Sequence, residues 1–287
     1  MTENLVQTTI PDEIVRRWSI SSAFLIADTP SSVVHRVTLN GGTNAVLKRL
    51  KLRGLGELPG MSFLAWRRGE GAVQIIERHG NACLLEDAGD TTLRKHRTDE
   101  GEDAANAILV DVIAKLHGHV AAFPQELVHL NQHFQTLLDN AHQQTDLRLQ
   151  EPLRFCANLA IGLLASQEDV KPLHGDLHHD NIIGGGSRGW LAIDPQGLIG
   201  DPAYDVANIF GNPLNALRDI INPARIQTLC TLFADVLGCP KDKILRYAIA
   251  HAGLSICWSL EDGTRFEDSE NAKERLAFLN VARSLLR

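Results

Sequence analysis

The hydrophobic period of the chain changes near residue 88, and few folds accommodate such a change. Upstream, short β-like runs are separated by turn residues: SSVVHRVTL, then NGGT, then AVLKRL. Asn40-Gly41-Gly42 between β-branched segments predicts a hairpin, because glycine reaches the positive φ that tight turns require. GAVQIIER and ACLLEDA come next, split by His79-Gly80-Asn81. Between the two pairs lies LPGMSFLAWRRGEG, where Pro59 suits a first helical turn and Gly69 its end. The predicted order is strand, strand, helix, strand, strand. Beyond residue 100 the period is helical. Ala104, Ala105, Ile108, Leu109, Val112, Ile113 and Leu116 form one apolar stripe. Similar patterns cover 124–140, 151–166, 223–237, 241–260 and 271–286.

Composition narrows the function without naming it. With 287 residues, 44% hydrophobic and 22% charged, the chain can bury a sizeable core as one large domain or two smaller ones. A net charge of −7 argues against a dedicated nucleic-acid binder and is compatible with a cationic partner. The opening MTENLVQTTIPDEIVRRW has no basic segment leading into an apolar one, so no secretory signal is expected. No apolar run approaches the roughly eighteen residues of a membrane span. Cys83, Cys156, Cys230, Cys239 and Cys257 are scattered without a CxxC pair, which reads as reduced thiols in a cytoplasmic protein.

One stretch carries the chemistry. LHGDLHHDNII, Leu173 to Ile183, holds three histidines and two aspartates, and such density of charge rarely serves packing alone. A transition-metal site would use His174 and His178, four apart, if they lay on one helix. Pro172 and Gly175 disfavour a helix there, so the spacing loses its meaning. A polar structural loop is a second reading. The third draws on residues further down the chain: Asn181 five residues after Asp176, then Asp194 at the end of a short hairpin formed by NIIGG and GWLAID. Phosphoryl transfer needs one carboxylate for the acceptor's proton, and an amide oxygen and second carboxylate to hold Mg²⁺ against the phosphates. It also needs an upstream lysine for the phosphates, and Lys48 in AVLKRL is placed for that.

At these residues the chain resembles the aminoglycoside phosphotransferases, relatives of the protein kinases. HGDLHHDN is similar to that family's HGDxxxxN loop, IDP to its metal-binding segment, and GDPAYDVANI to its G-[DE]-P-x-[YF]-D-x-A stretch. RGWLAIDPQGLIGDPAYDVANIFGNP, AGLSICWSLEDG and FLAWRRGEGAV look like the streptomycin 6-phosphotransferase branch, the aminoglycoside/hydroxyurea antibiotic resistance kinases. The resemblance implies an α+β, protein-kinase-like, two-lobed fold. Residues 1–87 would form a small lobe of antiparallel sheet plus helix that binds nucleotide phosphates. Residues 88–287 would form a helical lobe with catalytic loop, metal site and acceptor site. It implies ATP and Mg²⁺, with Asp176 as catalytic base, Asn181 and Asp194 as Mg²⁺ ligands, and Lys48 on the α/β-phosphates. His174 and Asp205 become structural supports of the loop; His178 and His179 are also left as structural.

The chain departs from the pattern in places. No GxGxxG covers the phosphates; DTPSSVV stands there, with Ser31, Ser32 and backbone N–H groups as anion donors. Glu57 is the nearest glutamate to pair with Lys48, yet it precedes Pro59 and so the helix. Asp180 stands where many members of that family carry a small residue, and the sequence supplies no reason for it. Adenine is expected at the inter-lobe connection, on backbone groups of Glu86 to Ala88.

The acceptor is less defined. Glu261 and Asp262, with Glu267 and Asp268, form an acidic cluster after a helix. Carboxylates recognise guanidinium groups through paired charge-assisted hydrogen bonds, and streptomycin carries two such groups. Hydroxyurea, small and neutral, needs no such cluster; acidic turns at helix ends are also commonly just solvated. The expected activity is ATP-dependent phosphorylation of a hydroxyl of streptomycin or a similar aminoglycoside. The alternatives are a hydroxyurea phosphotransferase, a kinase of another small hydroxyl metabolite, or a catalytically silent nucleotide-binding module, which an intact Asp176 disfavours. With no coiled-coil heptad in the sequence, a cytoplasmic monomer or weak dimer is expected, with neither nucleic acid nor membrane as partner.

Overall fold

The computed structural model describes residues 9–118, 122–184 and 186–286. A short helix, α1 (Asp12–Arg17), leads into a five-stranded antiparallel sheet. Its strands are β1 (Ile20–Asp28), β2 (Ser32–Leu39), β3 (Asn44–Leu50), β4 (Ile75–His79) and β5 (Ala82–Glu86), in spatial order β1-β2-β3-β5-β4. Between β3 and β4 a 3₁₀ turn, Leu52–Glu57, runs into α2 (Leu58–Arg67).

The sequence pattern points to four strands, and the sheet has five. The missed strand is β1, an edge strand in which none of the nine residues is buried. A strand without a buried face has no pressure toward period-two alternation, so the sequence carries no trace of it. The predicted helix over 124–140 also differs. Val128–His129 is extended and pairs with Leu198–Ile199, and helix begins only at Leu130.

Alternation along β3 decides which way Lys48 faces. Ala45 and Leu47 are buried with Ile14 and Trp18 of the α1 region and with Val37, Ala82 and Leu84, forming a small outer core. Lys48 has the opposite parity and lies on the other face, next to Cys83 in register on β5. That face looks toward the second lobe.

The helical lobe contains α3 (Leu93–Glu100), α4 (Glu102–His117), α5 (Leu147–Ala165), α6 (Pro223–Leu237), α7 (Lys241–Ser259) and α8 (Glu270–Ser284). Every residue of α7 from Tyr247 to Cys257 is buried, which marks it as the central helix of the lobe. No helix among the described residues is long and apolar enough to cross a membrane.

Two glycines let the lobes touch backbone to backbone. A Cβ on Gly60, in the first turn of α2, would lie 1.8 Å from the carbonyl oxygen of Pro195. A Cβ on Gly197 would lie 2.3 Å from the carbonyl carbon of Pro59. This contact seats α2 directly on the segment just after Asp194.

Candidate active site

Lys48 reaches across the cleft. Its Nζ donates to Glu57 Oε2 at 2.7 Å and to Asp194 Oδ1 at 2.5 Å. Burial opposes the ammonium charge, but Asp194 and Glu57 outweigh it, so the lysine pKa is raised and the group stays charged. Glu57 does precede the helix: it occupies the N-cap of α2 and caps nothing with its side chain, which goes to Lys48 instead.

The loop His174–Asn181 lies between the strand Lys171–Leu173 and β6 (Ile182–Gly184), which pairs with β7 (Leu191–Ala192). Gly175 supplies a φ of +82° at its start. Three residues hold the loop from beneath. Asp205, buried, accepts the N–H of His174 at 3.0 Å and of Gly175 at 2.7 Å, and His117 Nε2 lies 3.1 Å from it. His174 donates through Nε2 to the carbonyl of Ile193 at 2.8 Å and accepts the N–H of Asp176 at Nδ1, 3.2 Å away. One imidazole thus ties the loop to the strand that delivers Asp194.

The hairpin places the two cation candidates. The N–H of Ile193 donates to the carbonyl of Asn181 at 2.9 Å, extending the β6–β7 ladder by one pair. Asp194 then turns out of the strand at φ +56°, a left-handed conformation that leaves 49% of its side chain exposed to the cleft. The amide nitrogen of Asn181 donates to Asp176 O at 2.9 Å and Asp176 Oδ2 at 3.0 Å. Its oxygen is therefore the end free for a cation. Together with the Asp194 carboxylate this is a hard-oxygen set, which suits Mg²⁺. Among the described residues no group of three or more His, Cys, Asp or Glu side chains is arranged to hold a metal.

Asp176 is held away from the usual carboxylate range. Burial pushes its pKa up to about 7 and Asp194 adds to the rise, while amide donors from Asn208 and Asn181 oppose it. Solvent reaching the exposed 32% of its side chain moderates that rise. Asn208, absent from the sequence-derived set, donates through Nδ2 to Asp176 Oδ1 at 2.8 Å. The signal was in plain view, three residues after Asp205 in GDPAYDVANI. His178 Nε2 lies 3.8 Å from Asp176 Oδ2.

The remaining candidates lie around this centre. Asp180 forms a two-pronged ion pair with Arg94 of α3, both contacts at 2.5 Å, which anchors the loop next to Asn181. Ser32 is buried, its N–H donating to Thr29 Oγ1 at 3.0 Å, and Ser31 Oγ lies 3.3 Å from the same hydroxyl. Glu86 binds Arg188 and accepts the N–H of Gln74 at 2.7 Å, so its side chain is committed; Ala88 packs against the core. Glu261 lines a cavity of about 480 Å³ with Arg148, Arg265 and Glu267, and none of Lys48, Asp176, Asn181 or Asp194 is among that cavity's lining residues. Glu267 pairs with Arg148 at 2.6 Å and Asp268 with Arg265 at 2.9 Å. Asp262 sits in the single turn Glu261–Gly263; its side chain lies outside the described part of the structure.

Phosphate, cation and alcohol could all be met within this one cleft, and the fold around it is that of the protein-kinase-like small-molecule phosphotransferases. The chain belongs to the aminoglycoside/hydroxyurea antibiotic resistance kinase family, whose sequence model matches residues 17–263. As a member it is an ATP-dependent kinase of small-molecule hydroxyl groups. It is 35% identical to a streptomycin 3''-kinase of Klebsiella pneumoniae, over 87% of this chain and 92% of that relative. It is 27% identical to a streptomycin 6-kinase of Streptomyces glaucescens, over 88% of this chain and 83% of that one. Its fold is shared by a thermostable mutant of an aminoglycoside phosphotransferase crystallised with ADP and hygromycin B, at a TM-score of 0.64 and 15% identity, covering 98% of this chain and 100% of that one.

Proposed function

We propose that the protein transfers the γ-phosphate of ATP to a hydroxyl of streptomycin or a similar aminoglycoside. The observation that carries this reading is the convergence of Lys48 with Asp194, and of Asp176 with Asn181, on one cleft. In this reading residues 1–87 form the phosphate-binding lobe, and residues 88–287 carry the base, the cation ligands and the acceptor. Asp176 orients the acceptor hydroxyl and takes its proton as the bond to phosphorus forms. Asn181 and Asp194 hold Mg²⁺, which supplies charge neutralisation at the phosphates. Lys48 binds the α/β-phosphates, and Glu57 keeps its ammonium from swinging away. Adenine is held by backbone groups at Glu86 to Ala88. In the β1–β2 turn Ser31 is the better anion contact, because the Ser32 side chain is buried.

For the acceptor, Glu267 and Asp268 are already engaged with arginines, which leaves Glu261, with Asp262, for the guanidinium groups of streptomycin. The higher identity to the 3''-kinase makes that hydroxyl the expected position. The enzyme acts as a cytoplasmic monomer or weak dimer on a cationic small molecule, with no nucleic acid or membrane partner. Coupled ATP turnover with streptomycin, hygromycin B and hydroxyurea, with ³¹P NMR of the product, tests the proposal. Streptomycin is expected to be phosphorylated fastest. Turnover of hydroxyurea with no reaction of either aminoglycoside would overturn the assignment of the acceptor.

A further inference from the structure

A buried arginine stands behind the carboxylate on which the proposed reaction depends. Arg275, on α8, is 4% exposed, and no ion pair within 4.0 Å links it to a carboxylate among the described residues. A guanidinium cannot shed its charge at any ordinary pH, so burying one without a direct counter-ion is costly unless its field is used elsewhere. Buried Glu274, the preceding residue of α8, balances part of that charge and Asp176 part, and the hydrogen bonds of Arg275 trace the path to Asp176. Nη2 donates to Asn208 Oδ1 at 3.1 Å, and Nε donates to Asn271 Oδ1 at 3.2 Å. Asn208 in turn donates to Asp176 Oδ1 at 2.8 Å.

The direction of the Asn208 amide is set by its neighbours. Arginine has donors and no acceptor, so only the oxygen of Asn208 can face Arg275. Asn212 Nδ2 adds a second donor to that same oxygen at 3.0 Å. With its oxygen fixed by two donors, the amide must turn its NH₂ toward Asp176. Electron withdrawal by the guanidinium also makes that NH₂ a stronger donor. Space has been kept for the arrangement. A Cβ on Gly211 would lie 1.2 Å from Arg275 Nη1, although the backbone there is not in the left-handed region. The glycine is needed for room and not for conformation.

We infer that Arg275 is a positioning residue for the phosphotransfer, acting through Asn208. It fixes the amide that pins Asp176 Oδ1, which together with the Asn181 amide on Oδ2 sets the plane of the carboxylate toward the cleft. The inference rests on the reading of Asp176 as the base. The hydrogen bonds of Arg275 run to Asn271 and Asn208 and not to the Lys48 cluster, so its loss should lower kcat without weakening nucleotide binding.

Asn208→Asp and Arg275→Met test this together. Asn208→Asp presents carboxylate oxygens to Arg275, creating a direct ion pair, and replaces the donor to Asp176 Oδ1 by a second carboxylate that repels it. A merely structural role predicts that Arg275→Met costs stability alone and leaves the folded fraction equally active. The positioning role predicts kcat lowered on the order of 10-fold or more in both Asn208→Asp and Arg275→Met, with KM for Mg·ATP within about twofold. Arg275→Met and Gly211→Ala, which remove or displace the guanidinium, should lower kcat in the same way once normalised to the fraction binding ADP; Arg275→Lys should restore part of it. Streptomycin is the acceptor probe, and slow hydrolysis of Mg·ATP is a second readout that needs no added acceptor. Wild-type kcat in folded Asn208→Asp or Arg275→Met would overturn the inference. Asp176→Asn run alongside separates the two levels: undiminished turnover there would remove the base assignment itself, whereas an inactive Asp176→Asn beside an active Asn208→Asp would remove only the role of Arg275.

Discussion

Asp176→Asn is expected to lower kcat by on the order of 10²-fold or more while leaving KM for Mg·ATP within about twofold. Asp176 takes no part in the Lys48 cluster, whose hydrogen bonds run to Glu57 and Asp194. Phosphate binding should therefore survive. Removal of the carboxylate takes away the proton acceptor and also sets donor against donor. Asn181 and Asn208 each direct an NH₂ at Asp176, and an asparagine there must aim its own NH₂ at one of them. Asp194→Ala should fail differently, losing turnover through a higher Mg²⁺ requirement and a weakened hold on Mg·ATP. The pH profile adds a check. Burial raises the Asp176 carboxyl toward about 7, and a bound cation pulls it back down. Activity should fall as pH drops through that lowered value, and Asp176→Asn should lose this acid limb. Kinetics across Mg²⁺ concentration and pH measure both. Equal loss of ATP affinity and kcat in Asp176→Asn would contradict its assignment as base.

How much of this was legible in the sequence depends on what each residue answers to. Lys48, Asp176, Asn181 and Asp194 stood out because phosphoryl transfer calls for those residue types and the family resemblance for that order, and the structure brings Lys48 to Asp194 and Asp176 to Asn181. α2 was readable from Pro59 and Gly69, and its observed span, Leu58–Arg67, matches closely. β1 was not, because an exposed edge strand leaves no pattern. Arg275 was not readable either: it lies 67 residues beyond Asn208, on a helix whose polar residues look like any solvated face until packing buries them. Asp180 had no rationale in the sequence, since its partner Arg94 is 86 residues upstream. Local pattern reports what a residue is; partnership across the fold reports what it does.

The glycine contact under α2 was equally silent, and it yields the other large expected effect. Intrinsic helix propensity predicts that Gly60→Ala stabilises a helix by about 1 kcal/mol. The structure predicts the opposite sign. The new methyl carbon would lie 1.8 Å from Pro195 O and 2.9 Å from Pro195 C, both backbone atoms that no rotamer change can move aside. The segments are equally close at Gly197, where a Cβ would lie within 2.6 Å of Pro59 and Gly60, so relief at Gly60 has to part a tightly packed seam. Strain of this kind costs about 1–3 kcal/mol, a Tm lower by roughly 3–10 °C. Relief requires α2 to slide off the Asp194–Gly197 segment and carry Glu57 at its N-cap away from Lys48. A displacement near 1 Å in such a cluster is enough to cost on the order of 10²-fold in kcat/KM for ATP. Gly162→Ala serves as the control: it lies in α5 with nothing within 4 Å of its Cβ position, so propensity alone should act and Tm should rise slightly. If Gly60→Ala behaved like Gly162→Ala, in both Tm and ATP kinetics, α2 would not be held by this contact and the Lys48–Glu57–Asp194 geometry would need another support.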